Sequence, residues 1–148
     1  LGRLQDYLKN KEKEFFMNIF IEEPEVNLFP EKQKQVTYFL ASLQKMKNRP
    51  DIIMSTHSPY ILTSINNLLL ASQLIKQDKN LKEKVSEIIR DDFLLDVSHL
   101  EAYLISDGTA KSIIDTETGL INADEIDGVS VSLAQEFDKL LDLASNDH

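Results

Sequence analysis

The sequence predicts an α/β fold organised on a parallel sheet with flanking helices, and three observations carry that reading. The run Phe16-Met17-Asn18-Ile19-Phe20-Ile21 is apolar, aromatic and β-branched, and it stops at Glu22-Glu23-Pro24, as a strand buried on both faces does. A helical apolar repeat follows over about residues 30–47. A second short strand, Ile52 to Ser55, then ends in Thr56-His57-Ser58-Pro59. Strand, helix, strand in that order implies parallel strands joined by a crossover helix. In such sheets ligands gather at the carboxyl ends of the strands, which is where the acid pair and the histidine fall.

Before the first strand, Leu1, Leu4 and Leu8 recur at helical spacing among charged residues, so residues 1–14 read as the tail of an amphipathic helix. The chain opens there without Met and without a cap, and the expectation is a piece of a longer protein. After the strand, Pro30 suits the first helical position and Glu31 the first turn, where the helix dipole favours a carboxylate. Val36, Phe39, Leu40, Leu43 and Met46 form the stripe expected to face the sheet, and Lys45, Lys47, Asn48 and Pro50 close the helix. Ser58 and Pro59 are placed as N-cap and first residue of the next helix, which Asn66-Asn67 is expected to end. Leu68 to Ala71 then reads as a third buried strand, giving βαβαβ; a helix continuing through Ile75 is the alternative for so short an apolar run.

Leu81, Val85, Ile88 and Ile89 mark a further helix, with Asn80 and Glu83 spaced as a capping box. His99 to Ser106 and Ala110 to Asp115 read as strands of a hairpin turning at Asp107-Gly108. Ser132 with Gln135, followed by Leu133, Phe137, Leu140, Leu141 and Ala144, predicts a last amphipathic helix. Residues 1–75 therefore hold the strand tips. Residues 76–148 form an extension of helix, hairpin and helix, too small for a core of its own and expected to pack on the same domain.

Composition narrows the function classes. A chain of 148 residues, 42% hydrophobic and 28% charged, is long enough for one domain with a real core. The net charge of −9 argues against a broad nucleic-acid footprint, so a DNA contact would need a locally basic face. The absence of Cys removes thiolate metal sites and Cys nucleophiles, and is mildly in favour of a reducing compartment. No apolar run approaches the roughly 20 residues of a membrane span, and a cytoplasmic location is expected. Lys76, Lys79, Lys82 and Lys84 read as a solvated helix face, and Asp91, Asp92, Asp124 and Asp127 as solvated acidic surface. His99 and His148 carry no motif.

The chemistry that wants carboxylates and a histidine on neighbouring strand ends is the handling of a nucleotide γ-phosphate with its Mg²⁺. That ion prefers oxygen ligands and keeps several waters, so one acid at a strand end can hold it through water. The adjacent carboxylate can orient and deprotonate an attacking water. A neutral imidazole can donate to phosphate through one nitrogen while the other is fixed by a neighbour.

Ile21-Glu22-Glu23-Pro24-Glu25-Val26-Asn27-Leu28-Phe29-Pro30, with Ser55-Thr56-His57-Ser58-Pro59, resembles the second half of an ABC-type ATPase domain with a P-loop NTPase-like sheet. The resemblance is nearest to bacterial AAA-family ATPases related to the overcoming-lysogenization-defect proteins and to SMC-like ATPases, and its specific motifs span about residues 16–62. It implies that Glu22 is the Walker B acid holding Mg²⁺ through water and that Glu23 is the general base. Asn27 and Leu28 fall in the D-loop that reaches across a nucleotide-sandwich homodimer, and His57 matches the switch residue sensing the γ-phosphate. The cofactors implied are ATP and Mg²⁺; the work implied is DNA repair or anti-phage defence, alongside an effector protein. Close relatives often read His-Leu-His-Pro where this chain has Asn27-Leu28-Phe29-Pro30, so any role of those histidines is missing here.

A phosphate-cradling G-x-x-x-x-G-K-[ST] is not among these residues: Gly2, Gly108, Gly119 and Gly128 are the only glycines, and none has that context. The Ser-Gly signature of the family is absent too. Weak or no ATP binding by this chain alone is therefore expected. Taken singly, an acidic turn or a Thr-His-Ser-Pro cap is commonplace; their joint appearance one helix apart is what favours the ATPase reading. The alternative is a non-catalytic regulatory or assembly module whose acidic loop and hairpin bind a partner protein.

Overall fold

The structure is a computed structural model that describes residues 17–122 and 135–138. Strand β1 (Asn18–Glu22) leads through a turn into helix α1 (Pro30–Leu43), then strand β2 (Asp51–Ser55), helix α2 (Pro59–Gln77) and helix α3 (Lys82–Ile88). Short 3₁₀ turns at Lys79–Leu81, Asp91–Phe93 and Val97–His99 connect to a hairpin of β3 (Tyr103–Ser106) and β4 (Thr109–Ser112). The expected helix at residues 1–14 lies outside the described residues. Of the last expected helix only residues 135–138 are described, and they are helical.

Strands β1 and β2 pair in parallel, from Asn18 opposite Asp51 to Glu22 opposite Ser55, with α1 as the crossover. The pleat puts Ile19, Ile21, Ile52 and Met54 on the covered side, while Phe20 and Ile53 stand 72% and 57% exposed on the other. The fold class therefore stands at the level of mixed α/β with a small parallel sheet, two strands among the described residues.

The third strand is corrected. Asn66-Asn67 does not end a helix, and Leu68 to Ala71 lies inside the single 19-residue helix α2. Ile61, Leu62, Ile65, Leu68 and Leu69 are all buried, a spacing of one, three and four that belongs to a helix face. Asn66 is absorbed by tertiary pairing: its amide donates to the Ile121 carbonyl and accepts from the Ile121 N–H, both at 2.8 Å. A side chain so engaged neither caps nor terminates its helix.

A second correction concerns α1. Its fully buried positions are Gln33, Thr37 and Ala41; of the expected stripe, Val36, Leu40 and Leu43 are partly buried and Phe39 and Met46 are exposed. Small Ala41 lets α1 approach α2 closely, and Thr37 returns its hydroxyl to the Gln33 carbonyl at 2.9 Å. The expected capping box at Asn80 and Glu83 is also replaced, since the Asp78 carboxylate accepts the Asn80 N–H at 2.9 Å.

Helix α2 is the centre of the molecule, with one apolar cluster on each side. Ala41, Leu68, Ala71, Val85 and Ile89 join it to α1 and α3. Ile61, Leu62, Ile65 and Leu69 join it to Ile113 and Ile121 of the extension. The hairpin turns at Asp107 and Gly108, both with positive φ (50° and 72°), the backbone that a two-residue connection needs. Beyond it, Asp115 gathers the N–H groups of Glu117 and Thr118 on one oxygen, and Gln73 donates to the Thr118 carbonyl at 2.9 Å. Gly119 has φ 66°, and an added Cβ would stand 2.9 Å from the Gln73 amide nitrogen, so a side chain there would strain the backbone and displace the Gln73 amide.

Candidate functional site at the strand tips

The β1–β2 ladder is prolonged by one bond, the Glu23 N–H to the Ser55 carbonyl at 3.0 Å. That bond holds Glu23 with φ 44°, a left-handed conformation that L-residues other than Asn, Asp and Gly rarely adopt. The chain then makes two successive turns, Val26 N–H to the Glu23 carbonyl and Leu28 N–H to the Glu25 carbonyl, with Asn27 also left-handed at φ 62°. Pro30 starts α1 directly afterwards.

On the neighbouring strand, Ser58 caps α2 by accepting the N–H groups of Tyr60 and Ile61. Its hydroxyl in turn donates to the side-chain oxygen Oε1 of Gln33, and the Gln33 side-chain amide donates to the Leu28 carbonyl at 2.9 Å. Buried Gln33 thus ties the start of α1 to the start of α2.

The two tips converge. The Glu23 carboxylate lies 3.6 Å from His57 Nε2, with the imidazole 88% and the carboxylate 42% exposed. Glu22, opposite Ser55, is exposed on the same sheet face as Phe20. Asn27 is exposed and Leu28 partly buried, in the loop beside the pair. The structure therefore brings Glu23 and His57 into one open space and leaves Glu22 at its edge. Among the described residues, no group of three or more His, Asp or Glu side chains is placed to hold a metal as a protein cage. A single strand-end carboxylate with open space around it does fit Mg²⁺, an ion that retains most of its water.

The residue that sequence reading passed over is Glu25. One of its oxygens accepts the Thr56 hydroxyl at 2.8 Å and the His57 N–H at 2.7 Å, while the other is buried without a partner. Burial acts against its ionisation, but the N–H groups of His57 and of Glu25 itself, the Thr56 hydroxyl and the nearby imidazole outweigh it. The carboxyl is held below its ordinary range. A signal existed in the sequence: Glu25 is a third acid with no basic residue within several positions, which leaves solvent or main-chain N–H groups as its partners.

An open groove of about 460 Å³ lies elsewhere, between α1 and the 3₁₀ turn Asp91–Phe93, and is lined by Tyr38, Phe39, Arg90 and Phe93. It holds none of the strand-tip residues.

Compared with known families, residues 5–62 match the model described as the AAA ATPase domain. That stretch contains Glu22, Glu23, Glu25, Asn27, Leu28 and His57, so the whole strand-tip constellation falls inside the matched residues. It covers under half of the chain and stops within α2. AAA ATPase domains use nucleotide and Mg²⁺. No curated protein and no solved structure matches the chain. Among the described residues, no helix is long and apolar enough to cross a membrane.

Proposed function

We propose that the chain supplies the hydrolytic edge of an ABC-type ATP site, with a P-loop NTPase-like arrangement completed by residues beyond these 148. The observation that carries this reading is the approach of Glu23 to His57 at the tips of two paired parallel strands. Glu23, as the general base, orients the attacking water and takes its proton. His57 donates a hydrogen bond to the γ-phosphate oxygens, where charge grows as the bond to the leaving group lengthens. Glu22 would hold Mg²⁺, and the ion would supply neutralisation of phosphate charge there. Asn27 and Leu28, as D-loop residues on an exposed turn, face a second copy of the protein, so hydrolysis takes place at a homodimer interface. ATP turnover in the cytoplasm would then drive DNA repair or anti-phage defence through an effector protein.

The test has two parts. Titration calorimetry of the 148-residue chain with Mg-ATP is expected to show no micromolar binding, because the phosphate-gripping loop is not among its residues. In the protein encoded with its upstream sequence, Glu23→Gln is expected to abolish hydrolysis while ATP-induced dimerisation persists. Undiminished turnover in that variant removes Glu23 from the mechanism. A second reading, a non-catalytic assembly module, is supported by the exposed Tyr103 and Ile105 of the hairpin. It predicts that Glu23→Gln leaves every function intact and that no P-loop is encoded upstream.

A further inference from the structure

We propose that Glu25 is the positioning residue of this site: its carboxylate ties the loop after β1 to the turn after β2, and so sets where the His57 imidazole stands against Glu23. The functional meaning of this role rests on the ATPase reading above. The geometry does not.

The sheet itself cannot place His57. The β1–β2 ladder ends at Glu22 and Ser55, and the last main-chain bond across the tips is Glu23 N–H to Ser55. His57 lies two residues further on, and its ring is 88% exposed, so packing does not fix it either. What locates the imidazole is its own backbone, and that backbone is held by a single oxygen of Glu25, 2.7 Å from the His57 N–H.

The same oxygen accepts the Thr56 hydroxyl at 2.8 Å, and the Thr56 oxygen accepts the Ser58 N–H at 3.0 Å. Three consecutive residues, Thr56 to Ser58, are thus strung from one carboxylate. Hydrogen bonds to an ionised acceptor are shorter and stronger than neutral ones, which suits Glu25 to the task. Its other oxygen is buried with no donor. A carboxylate keeps so unfavourable an orientation only where the bonds at its first oxygen demand it. At its other end Glu25 belongs to the turn whose carbonyl receives Leu28 N–H and whose neighbour Asn27 is left-handed. A movement of that exposed loop is therefore passed to His57 through one side chain.

The experiment uses the 148-residue chain and no nucleotide. In Glu25→Ala, hydrogen-exchange protection of the His57 N–H is expected to fall about tenfold or more. The nuclear Overhauser contact between the His57 ring and the Glu23 side chain is expected to vanish, with the resonances of α2 and the hairpin unmoved. Glu25→Gln keeps one carbonyl oxygen for both donors and is expected to restore the contact. If the alanine variant does not fold, Glu25→Asp, one methylene short of the two donors, is read against Glu25→Gln by the same measurements. An unchanged ring contact and unchanged protection in the shortened variant overturn the proposal. Because no nucleotide is involved, that failure is distinct from failure of the ATPase reading, which the Glu23→Gln turnover assay decides.

Discussion

Replacing Asn66 with alanine isolates the joint between helix α2 and the segment after the hairpin. Asn66 meets both main-chain polar groups of Ile121 at 2.8 Å, as a strand partner would, and Ile121 is only 4% exposed. In Asn66→Ala the Ile121 N–H and C=O lose their partners where water reaches poorly. Each orphaned group costs about 1–3 kcal/mol, so the pair should cost about 2–4 kcal/mol once some water entry is allowed. For a chain of this length each kcal/mol lowers the melting temperature by roughly 2–4 °C, so a fall of roughly 5–15 °C is expected. Urea unfolding followed by circular dichroism should show the midpoint moving with the slope unchanged. Asn67→Ala is the control: that side chain is exposed, and the better helix former should leave stability equal or about 0.5 kcal/mol higher. Equal effects at the two positions, or an Asn66→Ala protein within about 0.5 kcal/mol of the parent, would refute the pairing.

Three further outcomes are expected. Leu68→Ala, at a site with 0% exposure, should cost about 2–5 kcal/mol in the same urea assay, whereas Leu70→Ala, 44% exposed, should cost under about 1 kcal/mol. A strand would put both side chains on one face, so similar losses would contradict the helix. The Asp96 carboxylate is held well below its usual range by Lys76 Nζ at 2.6 Å and by the Ser98 N–H, so the folded state binds fewer protons than the unfolded one. Its contribution is present above about pH 4 and is lost as pH falls toward the lowered value; with Lys76 58% exposed it is at most about 1 kcal/mol. Asp96→Asn should flatten that part of the acid-unfolding profile, and an unchanged slope would mean the pair is silent. Finally, at Glu23, with φ 44°, a glycine variant should be more stable than an alanine variant by about 1 kcal/mol, the reverse of the usual order, and melting curves of the two decide it.

Local signals with a distinct physical cause were legible in the sequence. Ser58-Pro59 opens α2 because a hydroxyl cap and a residue lacking an N–H both suit a helix start, and Asp107-Gly108 turns the hairpin because both residues tolerate positive φ. The strand at Leu68 to Ala71 was misread because a helix buried on both flanks shows the same short apolar run as a buried strand. Only the longer series from Ile61 to Leu69 reveals the helical period. The α1 stripe was met only in part, by the partly buried Val36, Leu40 and Leu43, for a different reason: Gln33 and Thr37 are buried with hydrogen bonds made to Leu28, Ser58 and the helix itself, and no hydropathy pattern encodes such partners. At the site, the position of Glu23 follows from its place at the end of β1, and the sequence places His57 only near the tip of β2. The clamp by Glu25 depends on two loops meeting in space, which spacing along the chain does not express.

The departures from ordinary folding rules are concentrated in one place. Two left-handed non-glycine residues, a carboxylate with an unpaired buried oxygen and an imidazole left almost wholly in solvent all lie between Glu23 and His57. Among the described residues the other left-handed positions are a hairpin turn and Gly119. Strain of about 1–3 kcal/mol at a position persists only when surrounding bonds over-determine it, and here those bonds are the Ser55 carbonyl on Glu23 and the Glu25 carboxylate on His57. A turn whose only task was to join β1 to α1 would be more stable with glycine at position 23 and without a buried acid at 25. Glu23 faces the His57 imidazole and Glu25 holds the His57 backbone, an arrangement that a site acting through that imidazole would use and that a connecting loop would not need.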